Sequence, residues 1–354
     1  MASASTLEEQ LRALTREADP ALIHRQPDGK IRCLACGHRC LVGPGRSGVC
    51  RVRYNEEGHL RVPSGYVAAI AVDPVEKKPF FHCLPGAEAL SFGMLGCDLH
   101  CAYCQNWLTS QALRDPAAVA PIRPMSAEQV VQAALAHHAP LVVSTYNEPL
   151  ITSEWAVEVF TLARTEGLKC AYVSNGNATP EVLDYLAPHL AAYKVDLKSF
   201  DDANYRRLGG ILDNVLETIE GVYARGIWLE VVTLVVPDFN DSADELHSMA
   251  KFLARISPDI PWHVTTFHAD YNMNDRDSTP RQTLQLAARI GREEGLHHVY
   301  AGNLHPGDNG LEDTHCAACQ TTLIRRRGFR VIENLLPANG LCPTCHTPQP
   351  GIWV

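Results

Sequence analysis

Between residues 89 and 301 the chain repeats one pattern, a short apolar run followed by a polar loop and an amphipathic stretch. The runs are ALSFGML (89–95), LVVST (141–145), KCAYVS (169–174), AAYKVDLK (191–198), WLEVVTLVV (228–236), WHVTTF (262–267) and HHVYA (297–301). Segments this short and apolar read as buried strands. The stretches between them carry helix punctuation. Ser126 and Gln129 form a capping box for a helix running to His138. A helix from Ser153 to Glu166 is closed by Gly167. Thr179 caps the next, with Pro180 in its first position. Another runs from Asn214 to Arg225 and stops at Gly226, and two more are expected over 242–256 and 279–294. Strands alternating with helices, and apolar along their length, predict an α/β fold with a parallel sheet covered on both faces. GYVAAIAV (65–72) predicts a further strand ahead of the first.

The unusual polar residues fall just after the strands. Cys97, Cys101 and Cys104 follow the first, and Tyr146-Asn147-Glu148-Pro149 the second. Ser174-Asn175-Gly176 closes the third, Asp196 and Lys198 the fourth, His268 follows the sixth, and Gly302-Asn303 the seventh. In barrel-type α/β folds the active site is built at the C-terminal ends of the strands. One polar residue there would mean little. Six strands feeding one rim predict a site.

The stretch CDLHCAYCQNW (97–107) holds three thiols at C-x3-C-x2-C and no fourth nearby. Thiolates hold iron–sulfur clusters, usually four to a [4Fe–4S] cube. Three ligands leave one iron open, as catalytic zinc keeps an open position. This spacing, with Tyr103 before the last cysteine, resembles the radical SAM superfamily. The resemblance implies a partial (β/α)6 TIM-like barrel and a [4Fe–4S] cluster on Cys97, Cys101 and Cys104. It implies S-adenosylmethionine (SAM) at the open iron, cleaved reductively to a 5′-deoxyadenosyl radical that abstracts hydrogen. Glu148-Pro149 resembles the end of the superfamily's Gly-Gly-Glu-Pro motif, with Tyr146 and Asn147 in place of the glycines. Asp196-Leu197-Lys198 and Thr266-Phe267-His268 resemble segments of the pyruvate formate-lyase activating-enzyme branch. The implied SAM contacts are Tyr103, Asn147, Glu148, Ser174, Asn175, Asp196, Lys198 and His268. Tyr271, Asn272 and Met273 are expected in a loop away from the cluster, facing substrate or serving as plain loop.

A narrower likeness covers most of the chain. HCLPG (82–86), CDLHCAYCQNWLTSQ, TYNEP, DLKSFDDANYRRLGG, VPDFND, HADYNM and VYAGN resemble the radical SAM enzyme of the AmmeMemoRadiSam system. That resemblance implies association with Memo-type and AMMECR-type proteins and leaves the substrate open. Cys83 stands where an aromatic residue is more usual and reads as a packed thiol.

Eight more of the thirteen cysteines lie in two end groups. Cys316-x2-Cys319 and Cys342-x2-Cys345 have the spacing of a zinc ribbon, and a tail this small needs a staple. A rubredoxin-like iron is the runner-up. Cys33, Cys36, Cys40 and Cys50 fit either zinc or an extra [4Fe–4S] cluster. The chain therefore divides into an N-terminal segment (1–62), a barrel (63–312) and a ribbon-like tail (313–354). Arg325-Arg326-Arg327 reads as a solvated face or a contact with the acidic body.

Composition narrows the surroundings. A net charge of −9 over 354 residues argues against a nucleic-acid surface. No apolar run spans a bilayer, and the first residues lack a signal-peptide core, so a cytoplasmic location and no membrane partner are expected. The expected reductant is of flavodoxin or ferredoxin type. Three functions are open: a radical SAM enzyme acting on a small molecule or protein, an activating enzyme for a glycyl-radical partner, or a metal-stapled scaffold or electron carrier. The last leaves the polar rim without a purpose.

Overall fold

The computed structural model describes residues 7–302 and 310–354. Asn303, expected on the rim, lies outside them. Eight strands form the main sheet: β1 (Ala69–Pro74), β2 (Glu88–Gly93), β3 (Leu141–Ser144), β4 (Lys169–Ser174), β5 (Ala192–Asp196), β6 (Trp228–Val235), β7 (Trp262–Thr266) and β8 (Val299–Gly302). They lie side by side in chain order, and among the described residues β8 does not pair with β1. The seven from β2 to β8 are parallel, while β1 pairs antiparallel with β2. The curved sheet is thus a barrel left open. Helices fill each parallel crossover, including Ala127–Ala136, Ser153–Thr165, Pro180–Leu186, Leu212–Ala224, Ala243–Ile256 and Arg281–Glu293. The caps are those in the sequence. Ser126 and Gln129 make a reciprocal capping box, and the Thr179 hydroxyl accepts from the Val182 amide ahead of Pro180.

The sheet corrects one expectation. Helices cover its outer face alone, and the strands alternate. Tyr193 and Val195 of β5, and Trp262 and Val264 of β7, join the core under the helices. Lys194 and Asp196, and His263 and Thr265, turn instead into a cavity. A curved sheet around a cavity must alternate, because successive side chains point to opposite faces.

Two small appendages flank the barrel. Residues 15–63 form two three-stranded antiparallel sheets over a core that includes Ile23, Ile31, Leu60 and Val62. The tail is a three-stranded sheet of Thr314–His315, Thr322–Arg327 and Arg330–Asn334. It docks through the middle residue of the arginine run. The Arg326 guanidinium is fully buried, donates to the Phe81 carbonyl at 2.7 Å and pairs with Glu76 at 3.4 Å. The chain end returns to the barrel, where the Ile352 amide donates to the His82 carbonyl at 2.7 Å. Beneath it, Thr314, Tyr300 and His82 form a hydrogen-bonded row ending on the Pro350 carbonyl. Cys83 is buried and free. No helix of the described residues is long and apolar enough to cross a membrane.

Candidate active site at the mouth of the barrel

The C-terminal ends of the strands open on a cavity of roughly 460 Å³, a volume in the range of small-molecule sites. Cys97, Cys101, Tyr103, Cys104, Asn147, Glu148, Ser174, Asn175, Asp196 and Lys198 all line it. Residues far apart in sequence meet there because each follows a strand of one sheet.

The three-cysteine loop leaves β2 through Gly96 and packs under a small apolar layer of Leu99, Leu208, Val236 and Phe267. Burial pushes the Cys97 thiol well above its ordinary pKa, with Asp98 and Glu148 adding to the effect. Burial likewise lifts Cys101 to about 12. Thiols so placed ionise only beside positive charge, and cluster irons supply it. Among the described residues, only the tail quartet brings three or more thiols within 4.8 Å of one another. The trio is therefore too open to close on one ion, and no fourth thiol joins it. The donor set fits a multi-iron cluster with a free corner.

Glu148 reaches the centre of the rim, and its carboxylate is held from three sides. The Ser174 hydroxyl donates at 2.7 Å, the Asn175 amide at 2.8 Å and the Leu150 amide at 3.1 Å. The chain can deliver the donors at the end of β4 because Gly176 turns at φ +76°, where a Cβ would meet Val195 at 2.6 Å. No cationic side chain pairs with Glu148 among the described residues, and burial, then Asp98, push its pKa up to about 8. A buried carboxylate fixed by neutral donors and lacking a cation fits a ligand's ammonium group. Asp196 differs. Burial raises its pKa, but Lys194 and Lys198 outweigh that and bring it to about 2. Lys194 bonds one carboxylate oxygen, and Lys198 the other at 3.2 Å. Tyr103 is buried, edge-on to Phe239 with ring centres 5.7 Å apart. Asn147 accepts from the Met94 amide at 2.9 Å, which ties the second rim loop to the start of the cysteine loop.

Two expectations change. His268 is exposed at the rim, with Nδ1 3.3 Å from the Gln105 amide nitrogen, and does not line the cavity. The loop after β7 also does not close away from the cluster. Tyr271 stacks on Trp107 at 5.1 Å, and the Asn272 amide donates to the Ala102 carbonyl at 2.9 Å. The chain turns there because Thr279 holds both the Phe267 amide and the Val235 carbonyl, steering residues 268–273 over the cysteine loop.

Sequence reasoning missed three residues. Asp98 is buried and takes hydrogen bonds from the side-chain amides of Asn175 at 2.7 Å and Asn177 at 2.8 Å. Lys194 was findable, since it sits two positions before Asp196 on one strand and so on the same face. Phe329, from the tail hairpin, lines the cavity from across the molecule, and nothing local announces that. In the tail itself, Cys316 and Cys345 have sulfurs 3.6 Å apart, and Cys319 and Cys342 3.7 Å. That quartet could hold a single metal ion.

The sequence profile of the radical SAM superfamily matches residues 93–253. An uncharacterized protein of Methanocaldococcus jannaschii is 36% identical over 321 residues, covering 90% of this chain and 94% of that one. The pyruvate formate-lyase-activating enzyme of Clostridium pasteurianum is 22% identical over 219 residues, 56% of this chain and 87% of that enzyme. The crystal structure of a radical SAM methyltransferase from Sphaerobacter thermophilus superposes with a TM-score of 0.48 at 14% identity, covering 91% and 86%. The chain belongs to the radical SAM superfamily, with relatives among the activating enzymes of pyruvate formate-lyase type.

Proposed function

We propose that the protein is a radical SAM enzyme that takes hydrogen from a substrate bound in the barrel cavity. The observation that carries this is the three-thiol loop, open on one side, beside a buried carboxylate that has no cationic partner among the described residues. Cys97, Cys101 and Cys104 hold the cluster. When bound, the [4Fe–4S] cluster and SAM supply a 5′-deoxyadenosyl radical by reductive cleavage. Glu148, set by Ser174 and Asn175, takes the ammonium of SAM. Lys198 and Asp196 form the polar edge beside it, and Tyr103 packs the adenine side. Asn147 fixes the loop that carries Glu148. The apolar layer around Leu99 and Phe267 keeps water from the cluster. Phe329 and Glu312, both on the cavity wall, bring the tail to the substrate side, and the tail quartet holds a structural zinc.

The likeness to the AmmeMemoRadiSam enzyme supports Memo-type and AMMECR-type partners; reductive cleavage calls for an electron donor, of flavodoxin or ferredoxin type, and a cytoplasmic setting follows the sequence reading. The substrate of the first reading is a small molecule or a partner protein. A second reading, activation of a glycyl-radical enzyme, draws on the two activating enzymes among the relatives. Reduced protein given SAM without substrate should release 5′-deoxyadenosine slowly. Methylthioadenosine in its place would mean that a different bond of SAM is cut and would overturn hydrogen abstraction.

A further inference from the structure

The four cysteines near the start share a ligand count with the tail but not its geometry. Cys33 ends the strand Ile31–Cys33, and Cys36, Cys40 and Cys50 lie in the next loops. Cys33, Cys36 and Cys50 are buried, Cys40 is half-buried, and all four are free thiols. Cys33 lies within Coulombic reach of each of the other three, adding to a pull on their thiols that comes first from burial. The four therefore surround one region. Yet no three of them come within 4.8 Å of one another, whereas the tail sulfurs pair at 3.6 and 3.7 Å.

Ligand chemistry separates the two cases. Four thiolates on one zinc, each about 2.3 Å from the ion, must stand in mutual contact at roughly the spacing seen in the tail. Four thiolates on a cubane each bind a different iron and must stand apart. The backbone holds the wider arrangement without help. The Cys33 amide donates to the Cys40 carbonyl at 2.9 Å, the Gly48 amide to the Arg53 carbonyl at 2.8 Å, and the Val49 amide to the Cys40 sulfur at 3.4 Å. The buried Arg53 guanidinium, anchored on Glu154 at 2.6 and 2.7 Å, lies within reach of Cys33 and Cys50 and sets positive charge beside them. Donors to sulfur and a buried cation are what an anionic thiolate cluster requires.

We infer that Cys33, Cys36, Cys40 and Cys50 bind a second iron–sulfur cluster of the [4Fe–4S] class rather than zinc. Its loop packs directly behind the loop of the first trio. The His38 ring nitrogen meets the Asp98 carbonyl at 3.1 Å, and the Gly37 amide donates to the Asn177 carbonyl at 2.8 Å. A Cβ at Gly37 would stand 2.3 Å from the Asn177 side chain, which itself bonds Asp98, so the loop also packs against the rim loop that follows β4. None of the four cysteines lines the cavity, so this cluster would not meet SAM.

The test uses the full chain, purified and reconstituted with iron and sulfide without oxygen. The wild type should carry about eight irons, and the Cys97→Ala/Cys101→Ala/Cys104→Ala variant about four, with a cubane Mössbauer signature. A variant with no iron would overturn the inference, whether the wild type carries about four irons or more, and a second zinc in its place would assign the site to zinc. If instead the trio held nothing, the variant and the wild type would carry equal iron, which separates failure of the proposed function from failure of this site. Cys40→Ser, at the half-exposed corner, should lower iron from about eight to about four with tail zinc unchanged; iron staying near eight would contradict it.

Discussion

The mouth of the barrel and the tail treat the same side chain in opposite ways. At the mouth, three thiols stand apart, Cys101 buried and the other two half-buried, and burial pushes Cys97 and Cys101 toward neutrality, Cys101 to about 12. In the tail, four thiols crowd together, two of them exposed; hydrogen bonding with the Thr347 hydroxyl and amide draws Cys345 down to about 6, while burial lifts Cys316 to about 11. The first arrangement, with the cluster proposed for it, would gain its charge balance from the bound group and leave a corner free for chemistry. The second already has its four sulfurs close enough to meet on one ion. Function depends on how the fold spaces and solvates the sulfurs, not on their number.

The strongest way to break that contrast is at the mouth. Cys97→Ala, Cys101→Ala or Cys104→Ala should each lower 5′-deoxyadenosine release about 1,000-fold or more, because no step remains without the cluster. Tail zinc should be unaffected, read by metal analysis. Next is the tail. Cys342→Ala should release about one zinc per chain and speed proteolysis after residue 313, because metal-binding energy is folding energy in so small a unit. Iron content should hold, and a rubredoxin-type absorption band lost with the variant would reject zinc.

Glu148→Gln sharpens the contrast inside the mouth. It keeps the shape and removes the charge, so SAM should bind about 10- to 100-fold more weakly, the range expected for a charge-assisted hydrogen bond. Titration calorimetry would show this, with iron unchanged. The smallest effect is a pH effect at the tail junction. Burial lowers the pKa of His82 and His263, and takes His298 to about 4. Their folded pKa values lie below the unfolded value of about 6.5, so the unfolded chain binds more protons in between. Their contribution is fully present above about pH 6.5 and is lost as pH falls toward 4. Melting temperature should drop across that window, and His298→Asn should flatten the slope.

The sequence carried what is local. The Ser126–Gln129 box and the Thr179-Pro180 start were legible because capping is settled within four residues. The rim was legible because a parallel sheet brings every strand end to one side, so Cys97, Glu148, Ser174 and Asp196 could be grouped without knowing any distance. What escaped depends on the path of loops and on distant contacts. The motif places His268 in the cavity, but Thr279 steers the chain over the cysteine loop after Phe267 and His268 stays exposed. Asp98 has no pattern of its own and matters through Asn175 and Asn177, nearly eighty residues on. Phe329 reaches the cavity because Arg326 docks the tail on Glu76 and Phe81. The inward face of the strands was hidden by reading the runs as apolar throughout, when Lys194 and His263 already broke them.

The central claim is that an open cluster and SAM meet between the Cys97 loop and Glu148. Electron paramagnetic resonance on the reduced, reconstituted protein tests it most directly. Adding SAM should change the spectrum of the reduced cluster in the wild type, leave it unchanged in the Cys97→Ala variant, and in the Glu148→Gln protein require far more SAM for the same change. A wild-type spectrum indifferent to saturating SAM, in protein with full iron content, would contradict the account.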